Sequence, residues 1–254
     1  MYHHNEYGQR QAEVLQKHID PDLYIFSSSY KQGMDVIAQV QHLNATWANL
    51  RRMIRTTLRH GIFAHPLISV PVCGSTAFFD IQNQEVLCQR WYIVSATMPL
   101  FRISSDLPRR DPNSLFTNQA RRIALDAMDM RNTFMPYIRT ILWRGEPVMR
   151  PMFFDFYEDV ETFELDEQYM VGDAMLVAQI LLRDRFTLPV YFPNKSEAWY
   201  EFFGRERHDE LGWTSLRVVE SDWIIFLAEG KVIPFQTVSN FVFNVKEINS
   251  VSYY

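Results

Sequence analysis

GEPVMRPM, residues 145–152, is where this chain of 254 residues changes character. Gly145 closes a long amphipathic helix, ARRIALDAMDMRNTFMPYIRTILWRG (120–145), and Pro147 keeps it from continuing. Upstream, helical periodicity alternates with short apolar runs. WANLRRMIRTTLRHGIF (47–63) puts Leu50, Met53, Ile54 and Leu58 on one face, with Gly61 where a C-cap falls. QEVLCQRWYIVSATM (84–98) predicts another helix. So does 6–18, with Tyr7, Val14 and Leu15 as apolar anchors and Asp20-Pro21 as its break. Between them LYIFSSS (23–29), HPLISVPV (65–72) and PLFRISS (99–105) read as strands. Helix alternating with apolar strand argues for a parallel α/β unit.

Downstream the texture is different. VMRPMFFDF (148–156), AMLVAQILL (174–182), LPVYFP (188–193), AWYEFF (198–203), TSLRVV (214–219) and WIIFLAEGKVIPF (223–235) are short, aromatic and β-branched, with turn residues between them. Such spacing predicts an antiparallel β-sandwich. The fold class is therefore α/β plus all-β, divided as 1–146 and 147–254.

Composition excludes several roles. Net charge is −5, and basic residues cluster only as pairs such as Arg51-Arg52, Arg109-Arg110 and Arg121-Arg122, so no nucleic-acid footprint is expected. No apolar run reaches the roughly 18 residues of a membrane span. The opening MYHHNEYGQRQAEVLQKH lacks the charged-then-apolar pattern of a signal peptide. His3-His4 and His65 lack metal-ligand spacing and no glycine-rich phosphate loop occurs, so neither metal nor cofactor is expected. Trp91, Trp143, Trp199 and Trp223 read as core residues rather than sugar platforms. Aromatics at 15% supply material for a core and for clefts. Asn44-Ala45-Thr46 and Asn194-Lys195-Ser196 are acceptor triplets for N-glycosylation. Cys73 and Cys88 are the only cysteines, and the residues alone leave a disulfide and two buried thiols equally open.

A run of phrases in one order adds to this. Pro147-Val148-Met149-Arg150-Pro151-Met152, Phe156, Asp166, Gln168, Val171-Gly172, Leu176-Val177-Ala178, Val190-Tyr191-Phe192-Pro193, Trp199-Tyr200 and Gly230-Lys231-Val232-Ile233-Pro234 resemble glycoside hydrolase family 31, the α-glucosidase family. Tyr7-Gly8, Thr46-Trp47, Leu50, Cys73-Gly74, Cys88, Arg90-Trp91, Pro99 and Phe101-Arg102 extend the resemblance to nearly the whole chain up to about residue 236. It implies the last strands of a (β/α)8 TIM barrel in 1–146, then a C-terminal β-sandwich. It also implies that Cys73 and Cys88 pair, pinning a barrel strand end to the next helix. Such a pair implies an oxidising, secreted or secretory-pathway setting, where Asn44 and Asn194 become glycosylation candidates.

Members of that family hydrolyse α-glucosides with retention, through a nucleophilic aspartate and an acid/base aspartate. The nucleophile's "W-x-D-M-N-E" phrase does not occur in this sequence. The resemblance places His42 at the acid/base position, and Ser28, Pro71 and Ser104 at substrate-binding positions that carry arginine, aspartate and histidine in the family. Asp35, Asp80 and Asp106 read as solvated loop residues. The expectation is thus a catalytically inactive homologue of carbohydrate metabolism, with no confirmed catalytic residue. It would hold an α-glucoside or oligosaccharide weakly, or serve a protein partner. The alternatives are an α-glucosidase active when full-length and a scaffold without ligand. Since the matched region supplies only about the last three of eight barrel strands, the sequence is expected to be a piece of a longer secreted chain, or a short paralogue completed by a partner.

Overall fold

The computed structural model describes residues 6–20, 25–27, 37–40, 43–63, 67–74, 81–103, 111–115, 117–194, 198–236 and 251–253. The first part is a parallel sheet of four short strands in sequence order: β1 (Phe26–Ser27), β2 (Ile37–Gln39), β3 (Ile68–Pro71) and β4 (Leu100–Arg102). Helices α1 (Tyr7–Gln16), α2 (Trp47–Ile62), α3 (Ile81–Ala96) and α4 (Asn118–Trp143) alternate with them. Threonines start two helices. Thr46 Oγ1 accepts from the Asn49 N–H and Thr117 Oγ1 from the Ala120 N–H, each at 3.1 Å. Gly145 takes φ +72° and donates to the Leu142 carbonyl, ending the turn after α4 as its position predicts.

Four expectations need correction. β2 was not foreseen, because Ile-Ala-Gln is too short and too mixed to read as a strand. Gly61 is not a C-cap but lies inside α2. A Cβ there would sit 2.7 Å from the Met149 carbonyl oxygen, so glycine lets the helix approach the following strand. In α1 the buried face is Gly8 and Ala12, whereas Tyr7, Val14 and Leu15 are exposed. The run 148–156 is not one strand: Pro151 ends β5 (Met149–Arg150) and opens the single-turn helix α5 (Met152–Asp155).

The second part holds a six-stranded antiparallel sheet in the order β10-β9-β12-β7-β6-β5, built from β6 (Gln168–Val171), β7 (Met175–Ala178), β9 (Trp199–Glu201), β10 (Arg207–His208) and β12 (Ile224–Ala228) beside β5. β8 (Thr187–Phe192) pairs with β11 (Gly212–Arg217) as an outer two-stranded layer. A further pair joins β13 (Pro234–Gln236) and β14 (Val251–Tyr253). Among the described residues no helix is long and apolar enough to cross a membrane.

Two apolar cores share the six-stranded sheet. Tyr169, Val171, Met175, Val177, Ile225 and Leu227 face the core that runs under α2, α3 and α4. Met170, Leu176, Ala178, Ile224, Phe226 and Ala228 face the outer layer, against Leu188, Val190 and Phe192. β6, β7 and β12 are therefore buried on both faces, while β8 alternates buried and exposed positions as a one-sided strand does.

Polar contacts cross from helices to sheet. Arg90 of α3 is fully buried; its Nη1 donates to the carbonyls of Glu220 (2.6 Å) and Asp222 (3.0 Å), and its Nη2 to Gln179 Oε1 at 3.4 Å. Gln179 in turn donates to Tyr169 Oη at 3.1 Å, and Thr97 lies 2.8 Å from the same hydroxyl. Tyr137 Oη of α4 donates to the Val171 carbonyl (3.0 Å) and accepts from the Ala174 N–H (3.1 Å). Asp166 accepts from both Arg51 and Arg55 of α2.

Two outcomes follow. Gly172 has φ +58° and a Cβ there would meet Tyr137 Oη at 2.2 Å, whereas Gly230 has φ +74° and open space. Gly230→Ala is expected to cost about 1 kcal/mol, the backbone strain alone. Gly172→Ala adds a core clash and is expected to cost about 3 kcal/mol in denaturant unfolding. Burial raises the Asp166 carboxyl, but hydrogen bonds and charge from Arg51 and Arg55 outweigh it and hold the group below its ordinary value. A depressed folded pKa gives stability that is present above the unfolded value and lost as pH falls through the folded one. The Tm gap between the native chain and Asp166→Asn should therefore be largest near neutral pH and close on acidification.

Candidate functional site at the strand ends

In a parallel α/β sheet, chemistry gathers where the strands reach their C-terminal ends, because the loops that follow converge there. In this chain that edge is formed by Val40 after β2, by Pro71 through Gly74 at and after β3, and by Arg102 and Ile103 of β4 and beyond. Ser28 follows directly on β1, His42 precedes Leu43, and Ser104 follows Ile103 in sequence. These three, with Asp35, Asp80 and Asp106, lie outside the described residues. Of the expected substrate positions, Pro71 is described. It is buried, and pairs in register with Arg102.

The turn after β3 is the most constrained part of this edge. Cys73 and Gly74 are successive residues with positive φ, +61° and +72°. Cysteine rarely adopts that conformation, and here it is held by the bond to Cys88 of α3, with Cα atoms 4.8 Å apart. Gly74 donates to the Pro71 carbonyl at 3.3 Å. A Cβ on Gly74 would lie 2.5 Å from the Leu43 carbonyl oxygen and 2.9 Å from the Ala45 nitrogen. The turn therefore presses directly on the 43–45 loop, and the disulfide sets the position of both. The same loop carries Asn44, exposed, whose carbonyl accepts from Thr46 N–H at 2.9 Å and from Asn49 Nδ2 at 3.0 Å.

Arg102 is the charged group of this edge. Its Nη2 donates to the Val40 carbonyl at 3.0 Å, so the side chain reaches from β4 across β3 to the end of β2. Its Nε is buried and has no hydrogen-bond partner among the described residues. Burial pushes its pKa down. A guanidinium can bind hydroxyls or an anion, but it can neither attack an anomeric carbon nor take up a proton. Across 40, 43–46, 71–74, 102 and 103 there is no carboxylate. Among the described residues no group of His, Cys, Asp and Glu is placed to hold a metal ion. In the sequence Arg102 stands out only as a position that matches the family. Its reach to β2 follows from strand order, which a chain reading without β2 could not supply.

The tryptophans separate. Trp91 and Trp199 are fully buried, with Trp91 Nε1 2.9 Å from Met53 Sδ. Trp223 is half-buried against the helical core. Trp143, expected in the core, is 89% exposed at the end of α4.

Comparison with known proteins gives the family and the fold. Residues 2–141 match the glycosyl hydrolases family 31 TIM-barrel domain, and residues 145–233 match the glycosyl hydrolase family 31 C-terminal domain. The human protein "Neutral alpha-glucosidase AB" is 32% identical over 198 residues, covering 75% of this chain and 20% of the relative. A rice protein, "Probable alpha-glucosidase", is 31% identical over 163 residues, covering 63% of this chain and 18% of the relative. The chain thus spans about a fifth of the length of these curated relatives. In fold it is similar to a GH31 dextranase of Flavobacterium johnsoniae solved with isomaltotriose: TM-score 0.87 at 21% identity, covering 99% of this chain and 33% of the dextranase.

The strand-end turn makes its own prediction. Replacing Cys73 and Cys88 together by serine opens a loop spanning a separation of 15 residues. Stability should fall by about 3 kcal/mol, and chemical reduction of the native chain should lower its unfolding free energy in denaturant titration by the same amount.

Proposed function

The chain belongs to glycosyl hydrolase family 31, and on that premise we propose that it is an α-glucosidase-like homologue of carbohydrate metabolism that binds α-glucosides without hydrolysing them. One observation carries this reading. The described strand ends offer Pro71 and Arg102, and no carboxylate between Val40 and Ile103 on that edge. Retaining hydrolysis requires two carboxyl groups about 5 Å apart, one ionised to attack and one protonated to release the leaving oxygen. His42, at the family's acid/base position by resemblance, can donate a proton near neutral pH. It does not replace a carboxylate nucleophile. Arg102 is suited to hydrogen-bond hydroxyls, which supports binding.

The setting belongs to the same proposal. The Cys73–Cys88 pair favours an oxidising compartment, and Asn44 and Asn194 are both exposed acceptors for a glycan. A glycan on Asn44 would stand beside the strand ends and narrow access to them.

The test is hydrolysis of a chromogenic α-glucoside by the chain and by its His42→Asp variant, with binding of an iminosugar followed by thermal shift. The expected result is a rise in Tm with the iminosugar and no release of chromophore from either protein. Turnover by the native chain that disappears in His42→Asn would overturn the reading, and so would the absence of any iminosugar response.

A further inference from the structure

A second cleft, sharing no lining residue with the strand ends, lies at the rim of the sandwich where the six-stranded sheet and the outer pair part. It is bounded by β9 and β10 on one side and by β11 with the 218–224 segment on the other, and encloses about 440 Å³. That volume falls within the roughly 300–1,000 Å³ of small-molecule sites. Its floor is apolar: Ile224 and Phe226 are buried and Trp223 is half-buried. Phe203 forms a wall and is 49% exposed, a large ring left in water by the fold.

Among the described residues, three of the charged groups around this floor are left without a bonded partner: the side chains of Glu201, Glu206 and Arg217 make neither hydrogen bond nor ion pair. His208 is held by packing, stacked on Phe192 with ring centroids 5.6 Å apart and edge-on to Phe226 at 5.1 Å. The rim, by contrast, is fixed. Arg90 holds the Glu220 and Asp222 carbonyls, and the Asp222 carboxylate accepts from the Val219 N–H at 2.8 Å. The cleft is therefore preformed, with an apolar floor and unoccupied acceptors and donors above it.

We infer that this cleft is a binding site for a neutral pyranose, separate from the strand-end site. A sugar ring has an apolar C–H face, which packs on an aromatic wall such as Phe203. Its vicinal hydroxyls match paired acceptors, here Glu201 and Glu206, and a donor, here Arg217. The lining has three carboxylates against one guanidinium, so a phosphorylated ligand is disfavoured by charge. The site does not depend on the strand-end reading, and it stands if that reading fails.

The experiment is titration of the full chain with maltose, followed by the backbone amide spectrum, with glucose 1-phosphate as the charged comparison. Saturable shifts at Glu206, His208 and Ser221 are expected. Glu206→Gln alters an exposed side chain and should leave Tm unchanged, whereas Phe203→Ala also removes an edge-on contact with Phe202 and should lower Tm slightly; each should weaken maltose binding about tenfold. His42→Ala should leave these shifts as they are. No saturable shift at these three amides would overturn the inference. So would shifts undiminished in both cleft variants, or glucose 1-phosphate binding as tightly as maltose.

Discussion

The three central strands β12, β7 and β6 have no face left for water, and the rest of the molecule is arranged around that constraint. One face requires helices α2, α3 and α4, and the other requires the β8–β11 pair. Neither cover is dispensable, because either loss would expose a row of large apolar side chains. This explains why the helices of the parallel part are packed so closely on the antiparallel part: they serve two sheets. Gly61 in α2 and Gly172 at the β6–β7 turn lie where backbone and ring come closest, and at both positions even a methyl group would collide.

Arginine supplies the polar fastenings of this contact. Arg90 projects from α3 to two carbonyls of the 220–222 loop, and Arg131 from α4 to the carbonyls of Ala96, Met98 and Pro99 that end α3. Burial pushes both guanidinium groups down to about 10, which still leaves them charged at neutral pH. A buried cation with no carboxylate in direct contact is costly unless several oxygens surround it. Carbonyls at chain reversals, which have no strand partner, meet that need and are themselves satisfied by it. The same α3 carries Cys88, two residues before Arg90, so one helix anchors both the strand-end turn and the sandwich rim.

What the sequence made legible follows from where its patterns are strong. The alternation of helix and apolar run up to Gly145, and the string of short aromatic strands after it, were enough for a parallel part followed by an antiparallel one. The losses have physical causes. Ile37–Gln39 has three residues and no apolar run, so β2 was invisible and the sheet was read with three strands. MFFDF reads as strand by composition, yet Met152–Asp155 forms a helical turn with Pro151 as its extended N-cap. In α1 the small residues Gly8 and Ala12 are buried and the larger ones are not, the reverse of the usual pattern. At the site, Pro71 and Arg102 are described, while Ser28, His42 and Ser104 lie outside the described residues. The cleft beside Phe203 has no signature in the sequence, since it joins residues from four strands and two connecting segments that share no pattern.

Two-sided burial also changes what holds the strands in register. In a one-sided sheet a slip of one residue trades core for water, and the hydrophobic effect alone forbids it. In β7 a slip would exchange Met175 and Val177 with Leu176 and Ala178, moving each set from one dry core to another. Apolar patterning is almost silent about that error. The alignment must be specified by shape and by the turn, and the turn is equipped for it: Gly172 is locked in a left-handed conformation under Tyr137, whose hydroxyl bonds the residues on both sides of it, Val171 and Ala174. A single phenol on α4 thus sets the frame in which the hairpin is read.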